Sequence, residues 1–139
     1  MPLEPQTLKS LVKAAAEQVI ASAAELTALD QAIGDGDHGA NMKRGFEAVL
    51  GKLDTIAAQP LDEALKTIGK TQVMTVGGAS GPLYGSFCLA AGDALSNRQL
   101  PGDLADVFGS GVNAVSARGR SRPGERKLCW TSCFRCWRR

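Results

Sequence analysis

Three aspartates lie close together in the segment D-Q-A-I-G-D-G-D-H-G-A-N, residues 30–41. Asp30, Asp35 and Asp37 fall within eight residues, and glycines between them free the backbone to bend. Because like charges this close repel one another, the folded chain needs a cation, hydrogen-bond donors or solvent between them. Mg²⁺ prefers such oxygen ligands and commonly bridges to phosphates. The segment therefore predicts a site for Mg²⁺ and a nucleotide phosphate.

Other interpretations of this segment were weighed against the metal site. A solvated acidic turn explains the loop alone equally well. An EF-hand also begins D-x-D-x-G, but its twelfth position requires a bidentate Glu, and counting from Asp35 that position is Phe46. The EF-hand is thereby excluded. His38, the single histidine of the chain, could act as a base or a metal ligand, but we favour contact with the nucleotide over catalysis.

A second glycine-rich segment, G-G-A-S-G-P-L-Y-G at residues 77–85, leads into an apolar helical pattern. Ser80 is placed to cap this helix, and Pro82 suits its first turn. The N–H groups at a helix start can bind an anion, and glycines let a phosphate approach the backbone. A tight turn between two helices needs the same residue types, so this segment alone does not distinguish the two.

Helical periodicity supplies the elements that must position these loops. Apolar residues recur at three- and four-residue spacing in five stretches, and no stretch alternates with period two for long enough to form a strand. We therefore predict an all-α domain. The first helix is predicted over about residues 5–26, and the later apolar stripes begin near Phe46, Leu61, Leu83 and Leu104.

Composition limits the class of protein. The chain has 139 residues, enough for one domain, and 44% of them are hydrophobic. It has no long apolar run and no basic-then-apolar N-terminus, so we expect a cytoplasmic protein with no membrane partner. Gly69-Lys70-Thr71 does not complete a P-loop. That motif requires a glycine five residues before Gly69, and this position is occupied by Ala64.

Charge and cysteines concentrate at the C-terminus. Residues 1–117 hold 8 Lys+Arg against 13 Asp+Glu, whereas residues 118–139 hold 8 against 1. A basic tail alone would suggest nucleic acid or a membrane surface. Its three cysteines lack paired C-x-x-C units and a nearby histidine, which disfavours zinc. Cys88, outside the tail, lies in an apolar stretch and is predicted to be a small core residue.

Three strings together resemble the dihydroxyacetone kinase L-subunit family. They are I-G-D-G-D-H-G-A-N-M at 33–42, G-G-A-S-G-P-L-Y-G at 77–85 and S-A-R-G-R-S-R-P-G-E at 116–125. The resemblance covers about residues 5–125 and rests on two rare motifs in the family's order and at family-like separation. It implies an antiparallel up-and-down barrel of eight helices, of which this chain holds about five, with the nucleotide at one end.

The resemblance also implies a division of the site residues by position. It implies no catalytic residue on this chain, which agrees with a reaction that depends on electrostatic clamping and alignment. Asp30, Asp35 and Asp37 would hold Mg²⁺. The residues implied to contact ADP or ATP are His38, Gly39, Ala40, Asn41, Ala79, Ser80 and Gly119.

The implied activity needs other proteins. A partner kinase subunit would hold dihydroxyacetone and receive the terminal phosphoryl group, with no nucleic acid involved. In the phosphotransferase-system type a phosphoryl donor protein rephosphorylates the bound ADP, whereas in the ATP-dependent type the nucleotide exchanges. Because the chain begins at Met1 directly before the first helix, we expect a separate subunit rather than the end of a fused kinase. The alternatives are a non-catalytic Mg-nucleotide-binding module and an inactive truncated product.

After Glu125 the chain departs from the family pattern, which continues with a helix resembling K-T-M-L-D-V-L. The codons allowed for Lys127–Arg138, read two bases later, can spell T-M-L-D-V-L-F-P-V-L-E. We therefore expect residues 5–125 to be the nucleotide-binding domain and residues 126–139 to be a frameshifted tail. A shortened barrel leaves apolar faces without partners, so poor solubility or oligomerisation and weak nucleotide affinity are expected.

Overall fold

A computed structural model describes residues 3–96 and 104–118 of the chain. Within these residues all regular structure is helical, so the all-α prediction is confirmed. No helix in the described ranges has the length and apolar character needed to cross a membrane. The helices are α1 (Pro5–Ala21), α2 (Ala23–Gln31), α3 (His38–Leu50), α4 (Leu53–Ala57), α5 (Leu61–Thr75), α6 (Ser80–Leu95) and α7 (Leu104–Arg118).

The first predicted helix is in fact two helices. We predicted one helix over residues 5–26, but the helix is interrupted at Ser22, where φ is −85° and ψ is 4°, and α2 then continues to Gln31. The Ser22 Oγ accepts a hydrogen bond of 3.4 Å from Gln18 Nε2, and the backbone bonds from Ser22 N–H to the Gln18 carbonyl and from Leu26 N–H to the Ser22 carbonyl are kept across the interruption. The interruption lets α1 pack against α3 and α4, whereas α2 packs mainly against α3.

Helices α5 and α6 pack as close antiparallel neighbours through small residues. Near the turn that joins them, Gly81 lies directly against the carbonyl oxygen of Val76. At the far end, a β-carbon added to Gly92 would lie 2.7 Å from the carbonyl oxygen of Asp62. Contacts that run in opposite sequence directions along the two helices show that the chain reverses at residues 76–79. The glycine-rich segment singled out by sequence, residues 77–85, supplies most of this reversal and continues into α6.

Helix α7 continues the up-and-down order by packing against α6. Gly111 lies against the ring of Phe87, and that ring meets Phe108 edge to face, with centroids 5.3 Å apart. Such aromatic pairs contribute about 0.5–1.5 kcal/mol beyond the area they bury. Despite this contact, Phe108 remains 55% exposed, and Leu104 on the same helix is 59% exposed. The apolar start predicted near Leu104 is confirmed as the first residue of α7.

Two apolar clusters hold the helices together. The first contains Leu8, Val49, Ile56 and Ala64, and the second contains Ala91, Leu95 and Val107. Leu61 packs against both clusters, so the helices that carry the two glycine-rich loops form one packed unit. Within the first cluster, Ile56 of the short helix α4 is fully buried, and burial of such a side chain stabilises the fold by about 1.5–3 kcal/mol.

Candidate functional site

The three aspartates meet where α2 turns into α3. Asp30 lies in the last turn of α2, and Asp35 and Asp37 lie on the connection formed by residues 32–37, hereafter the aspartate loop. One carboxylate oxygen from each residue lies within 4.8 Å of the others. Asp30 is half-buried and the other two are exposed. Three converging carboxylate oxygens that remain open to solvent and phosphate fit a hard cation such as Mg²⁺.

Glycines shape the aspartate loop. Gly36 has a φ of +77°, a conformation that residues with a side chain rarely adopt. The N–H of Gly34 donates a hydrogen bond of 2.6 Å to the carbonyl oxygen of Asp30, and a β-carbon at Gly34 would lie 2.5 Å from Asp30 Oδ1. A side chain at Gly34 would therefore displace the Asp30 carboxylate from its present position. This fold brings the later aspartates to the first.

His38 is the first residue of α3. Its backbone N–H donates to Asp30 Oδ2 at 3.3 Å, so Asp30 satisfies one of the N–H groups that a helix start leaves without an intrahelical partner. The ring Nδ1 lies 3.0 Å from the Oγ of Ser80. The ring's hydrogen-bond partner in the structure is thus Ser80 rather than the adjacent Asp37.

Ser80 does not cap α6, and that prediction was wrong. Helix α6 begins at Ser80 itself, and Ala79 precedes it with helical dihedral angles and no capping side-chain bond. Because the backbone is already helical at Ala79, the Ser80 hydroxyl is not at the position from which a cap reaches back to the helix N–H groups. It turns towards His38 instead. Pro82 lies in the first turn, as predicted.

The His38–Ser80 contact brings the starts of two helices together. Each helix start presents N–H groups without intrahelical partners and the positive end of a helix dipole. An anion between the starts of α3 and α6 would be attracted by both, and it would lie near Asp30, which bonds to the His38 N–H. The arrangement can hold a divalent cation and a phosphate side by side.

Asn41 links the aspartate loop to a residue that sequence reasoning missed. Its side chain is 8% exposed; Nδ2 donates to Asp37 Oδ2 at 2.7 Å, and Oδ1 accepts from Arg44 Nη2 at 2.6 Å. Arg44 also donates through Nε to the carbonyl oxygen of Thr75 at 3.0 Å. The available signal was that Arg44 lies three residues after Asn41, on the same helix face. A charged helix residue is more often simply solvated, so this spacing did not single it out.

Gly39 has a packing role that is visible in the structure. It is buried, and a β-carbon there would collide with the carbonyl oxygen of Ala23 and the side chain of Thr27. Both of these residues belong to α2. Gly39 therefore sets how closely α2 and α3 approach, and through them the distance between Asp30 and the start of α3.

The remaining predicted nucleotide contacts are dispersed around this centre. Ala40 is exposed in the first turn of α3, and Ala79 is exposed directly before Ser80. Gly78, next to Ala79, has a φ of +65°, which allows the sharp reversal between α5 and α6. Gly119 lies outside the described residues, as does the tail over residues 126–139.

Cys88 is not part of this site, and its thiol is expected to be unreactive. It is half-buried on α6, and its Sγ lies 3.8 Å from Gln72 Oε1. Burial disfavours the thiolate and raises the pKa of Cys88 from 9.0 to about 11. A thiol with so high a pKa is almost entirely neutral near pH 7, which agrees with the predicted role as a packing residue.

Comparison with known proteins adds to this geometry. The DAK2 domain family matches residues 32–129, more than half of the chain. The ADP-binding subunit DhaL of the PEP-dependent dihydroxyacetone kinase of Escherichia coli (strain K12) is 44% identical over 106 residues, covering 75% of this chain and 50% of that protein. The corresponding subunit of dihydroxyacetone kinase 1 of Listeria innocua is 40% identical over 104 residues, covering 74% of this chain and 52% of that protein.

More distant relatives are larger proteins. The triokinase/FMN cyclase of Rattus norvegicus is 36% identical over 106 residues, which is 18% of its length. The chain spans about half the length of the DhaL relatives that it matches. The match over residues 32–129 includes both the aspartate loop and the α5–α6 reversal. On the strength of this match and of the identity to the DhaL subunits, the chain belongs to the DAK2 domain family.

Proposed function

We propose that this chain binds Mg²⁺ with ADP or ATP and serves as the nucleotide-binding subunit of a dihydroxyacetone kinase. One observation carries the proposal: three converging carboxylates lie next to two helix starts joined by the His38–Ser80 contact. A metal-bound nucleotide presents a cation and phosphates together, which is the pair of charges that this arrangement complements. The names of the similar subunits, which describe ADP binding, support the same conclusion.

The proposed roles follow from position. Asp30, Asp35 and Asp37 would hold Mg²⁺, which when bound supplies charge neutralisation at the phosphates. The starts of α3 and α6 would receive the phosphate oxygens. The residues proposed to line the nucleotide are His38, Gly39, Ala40, Asn41, Ala79, Ser80 and Gly119. No residue of this chain is assigned as a catalytic base, because positioning and charge stabilisation account for most catalysis of phosphoryl transfer.

The acceptor is proposed to be dihydroxyacetone held by a separate partner subunit. The similar proteins are described as PEP-dependent and PTS-dependent kinase subunits, which favours a phosphotransferase-system phosphoryl donor over free ATP exchange. A cytoplasmic location is part of the same proposal. The overall reaction breaks the bond to the terminal phosphoryl group of the nucleotide and forms a phosphate ester on the acceptor hydroxyl.

Calorimetric titration of the chain with ADP, in the presence of Mg²⁺ and then of a chelator, tests the binding part. We expect binding that depends on Mg²⁺ and is lost when Asp35 and Asp37 are both changed to Asn. Glu25→Gln, which removes an exposed carboxylate from the first turn of α2, is the matched control and should bind normally. Absence of nucleotide binding in the unaltered chain would identify it as an inactive product.

Phosphoryl transfer is tested by adding a dihydroxyacetone-binding kinase subunit and the radiolabelled phosphoryl donor. Formation of labelled dihydroxyacetone phosphate supports the kinase assignment. Normal Mg²⁺·ADP binding without any transfer would instead support a non-catalytic nucleotide-binding module. The Asp35→Asn, Asp37→Asn protein should show neither binding nor transfer.

A further inference from the structure

We infer that Arg44 is a positioning residue that couples the aspartate loop to the reversal between α5 and α6, residues 76–79, here called the glycine loop. The coupling consists of three consecutive hydrogen bonds. Arg44 donates to Thr75 and to Asn41, and Asn41 donates to Asp37. Thr75 is the last residue of α5, directly before the glycine loop. The inference rests on the proposed function, because it concerns how Asp37 is presented to a cation.

The chemistry of the groups fixes the direction of this chain of bonds. A guanidinium can only donate, so the Asn41 amide must turn its oxygen towards Arg44. Its NH₂ group must then face Asp37, where the carboxylate can only accept. Flipping the amide would place its oxygen against the carboxylate and its NH₂ against the guanidinium. Arg44 and Asp37 therefore require the same orientation of the Asn41 amide, so that Arg44 supports Asn41 from one side while Asn41 holds one oxygen of Asp37 on the other.

The glycine loop lies directly on this pair of side chains. A β-carbon added to Gly77 would lie 2.5 Å from Asn41 Oδ1 and 2.8 Å from Arg44 Nη2. The backbone at Gly77 thus packs against the same bond that orients Asn41. One guanidinium, through its Nε and Nη2 atoms, therefore contacts the end of α5 and the support of Asp37 at once. The forked geometry of arginine permits this, and a lysine ammonium lacks it.

Electrostatics and positioning predict opposite signs for the loss of Arg44. A cation close to an acidic site repels a metal ion, so removing its charge alone should tighten metal binding. If Arg44 instead positions Asp37 through Asn41, its removal should weaken metal binding, as the loss of an outer support of a metal ligand commonly does by about 10–100-fold. The sign of the change separates the two roles without reference to any activity.

The experiment titrates Mn²⁺ alone into the full chain and measures free Mn²⁺ by electron paramagnetic resonance. We expect Arg44→Gln to weaken binding by about tenfold and Arg44→Lys by less, since a lysine ammonium can still donate one of the two hydrogen bonds. Lys43→Gln is the charge control, because Lys43 is exposed and pairs only loosely with Glu47 at 3.9 Å. It should bind Mn²⁺ as well as the unaltered chain or slightly better.

A double-mutant cycle with Asn41→Ala tests whether Arg44 affects metal binding through Asn41. If Arg44 acts through Asn41, Arg44→Gln should have little further effect in the Asn41→Ala background. Equal weakening in both backgrounds, or Mn²⁺ binding that is unchanged or tighter in Arg44→Gln, overturns the inference. Either result leaves the proposed function intact as long as the unaltered chain binds Mg²⁺·ADP.

Hydrogen exchange on the ligand-free chain gives a readout that does not need a bound metal. Arg44→Gln should accelerate amide exchange in residues 38–41 and 76–80 together, whereas Lys43→Gln should change neither segment. If the unaltered chain binds neither Mn²⁺ nor ADP, the proposed function fails, and the exchange data still decide the coupling. Acceleration of only one segment, or of none, overturns it.

Discussion

The Oγ of Ser80 and the Nδ1 of His38 lie 3.0 Å apart, although 42 positions separate the two residues in sequence. Each is the first residue of its helix, so this one contact aligns the starts of α3 and α6. The backbone N–H of His38 donates a hydrogen bond to Asp30, so the aligned helix starts are also connected to the three aspartates. The groups proposed to bind the phosphate and the cation are thereby brought side by side.

Loss of the Ser80 hydroxyl should weaken nucleotide binding more than it destabilises the fold. A neutral hydrogen bond contributes about 1 kcal/mol, so Ser80→Ala should lower ADP affinity by about fivefold to tenfold. Titration calorimetry with Mg²⁺·ADP provides the measurement. Ser10→Ala, which removes an exposed hydroxyl bonded to Gln6 on α1, should leave affinity unchanged. Full affinity in Ser80→Ala would show that the helix starts do not need this contact.

Neutralising Asp35 should raise the thermal stability of the chain without Mg²⁺, and should reduce the stability that the chain gains from Mg²⁺. Without a cation, the carboxylates repel one another across at most 4.8 Å, so Asp35→Asn should raise the melting temperature slightly. With millimolar Mg²⁺ the unaltered chain should gain stability by binding the ion, and the variant should gain less. Thermal melts in both buffers test this, with Glu25→Gln as control. Equal stabilisation of both proteins by Mg²⁺ would place the ion elsewhere.

Two glycine-to-alanine changes on helices should change the free energy of unfolding in opposite directions. Gly39→Ala forces a methyl group into the Ala23 carbonyl oxygen and Thr27, and overpacking of this kind costs about 1–3 kcal/mol. Gly109→Ala adds a methyl group to α7 that meets no atom of residues 3–96 or 104–118 within 4 Å, and should stabilise the fold by about 0.5–1 kcal/mol through helix propensity. Urea unfolding compares the two variants. A neutral Gly39→Ala would contradict the close α2–α3 packing.

Stability should decline at alkaline pH in part because of Cys88. Below pH 9.0 the thiol is neutral in both states; as the pH rises from 9.0 towards 11, the unfolded chain releases this proton and the folded chain retains it. The free energy of unfolding should therefore fall, by at most about 1.4 kcal/mol per pH unit from this group. Cys88→Ala should show a shallower decline over that range.

Tyr84 must be separated from this effect, because burial also raises the pKa of its hydroxyl. Its contribution has the same sign but persists in Cys88→Ala, so the difference between the two proteins isolates the thiol. Urea denaturation at several alkaline pH values provides the comparison. Parallel pH profiles for both proteins would show that Cys88 does not remain protonated in the folded state.

Features encoded in short stretches of sequence were predictable. The all-α class follows from apolar periodicity, and the convergence of Asp30, Asp35 and Asp37 follows from their spacing on a glycine-rich loop. The interruption at Ser22 was missed because no glycine or proline marks it, and the apolar spacing continues across it. The two halves pack against different partners, α1 against α3 and α4 and α2 mainly against α3, and periodicity along the chain does not report such packing.

Long-range pairings were not predictable. Ser80 has the sequence features of a helix cap, and only the packing of α6 beside α3 gives its hydroxyl a different partner. Arg44 reaches the carbonyl oxygen of Thr75 across 31 positions, and no local pattern identifies a backbone carbonyl as the partner of an arginine. The aspartate loop can therefore be predicted from the sequence. The contacts of Ser80 and Arg44 that hold it in place depend on tertiary packing and cannot.

Because α3 and α5 run in opposite directions, the chain reversals alternate between two ends of the helices. The aspartate and glycine loops occupy one end, and the connection between α4 and α5, around residues 58–60, occupies the other. Neither Ala58 nor Pro60 is buried. We expect an inserted peptide or a fluorescent reporter to be tolerated there, at the end of α5 opposite the glycine loop. The far end thus offers an attachment point for engineering on the side of the helices away from the proposed site.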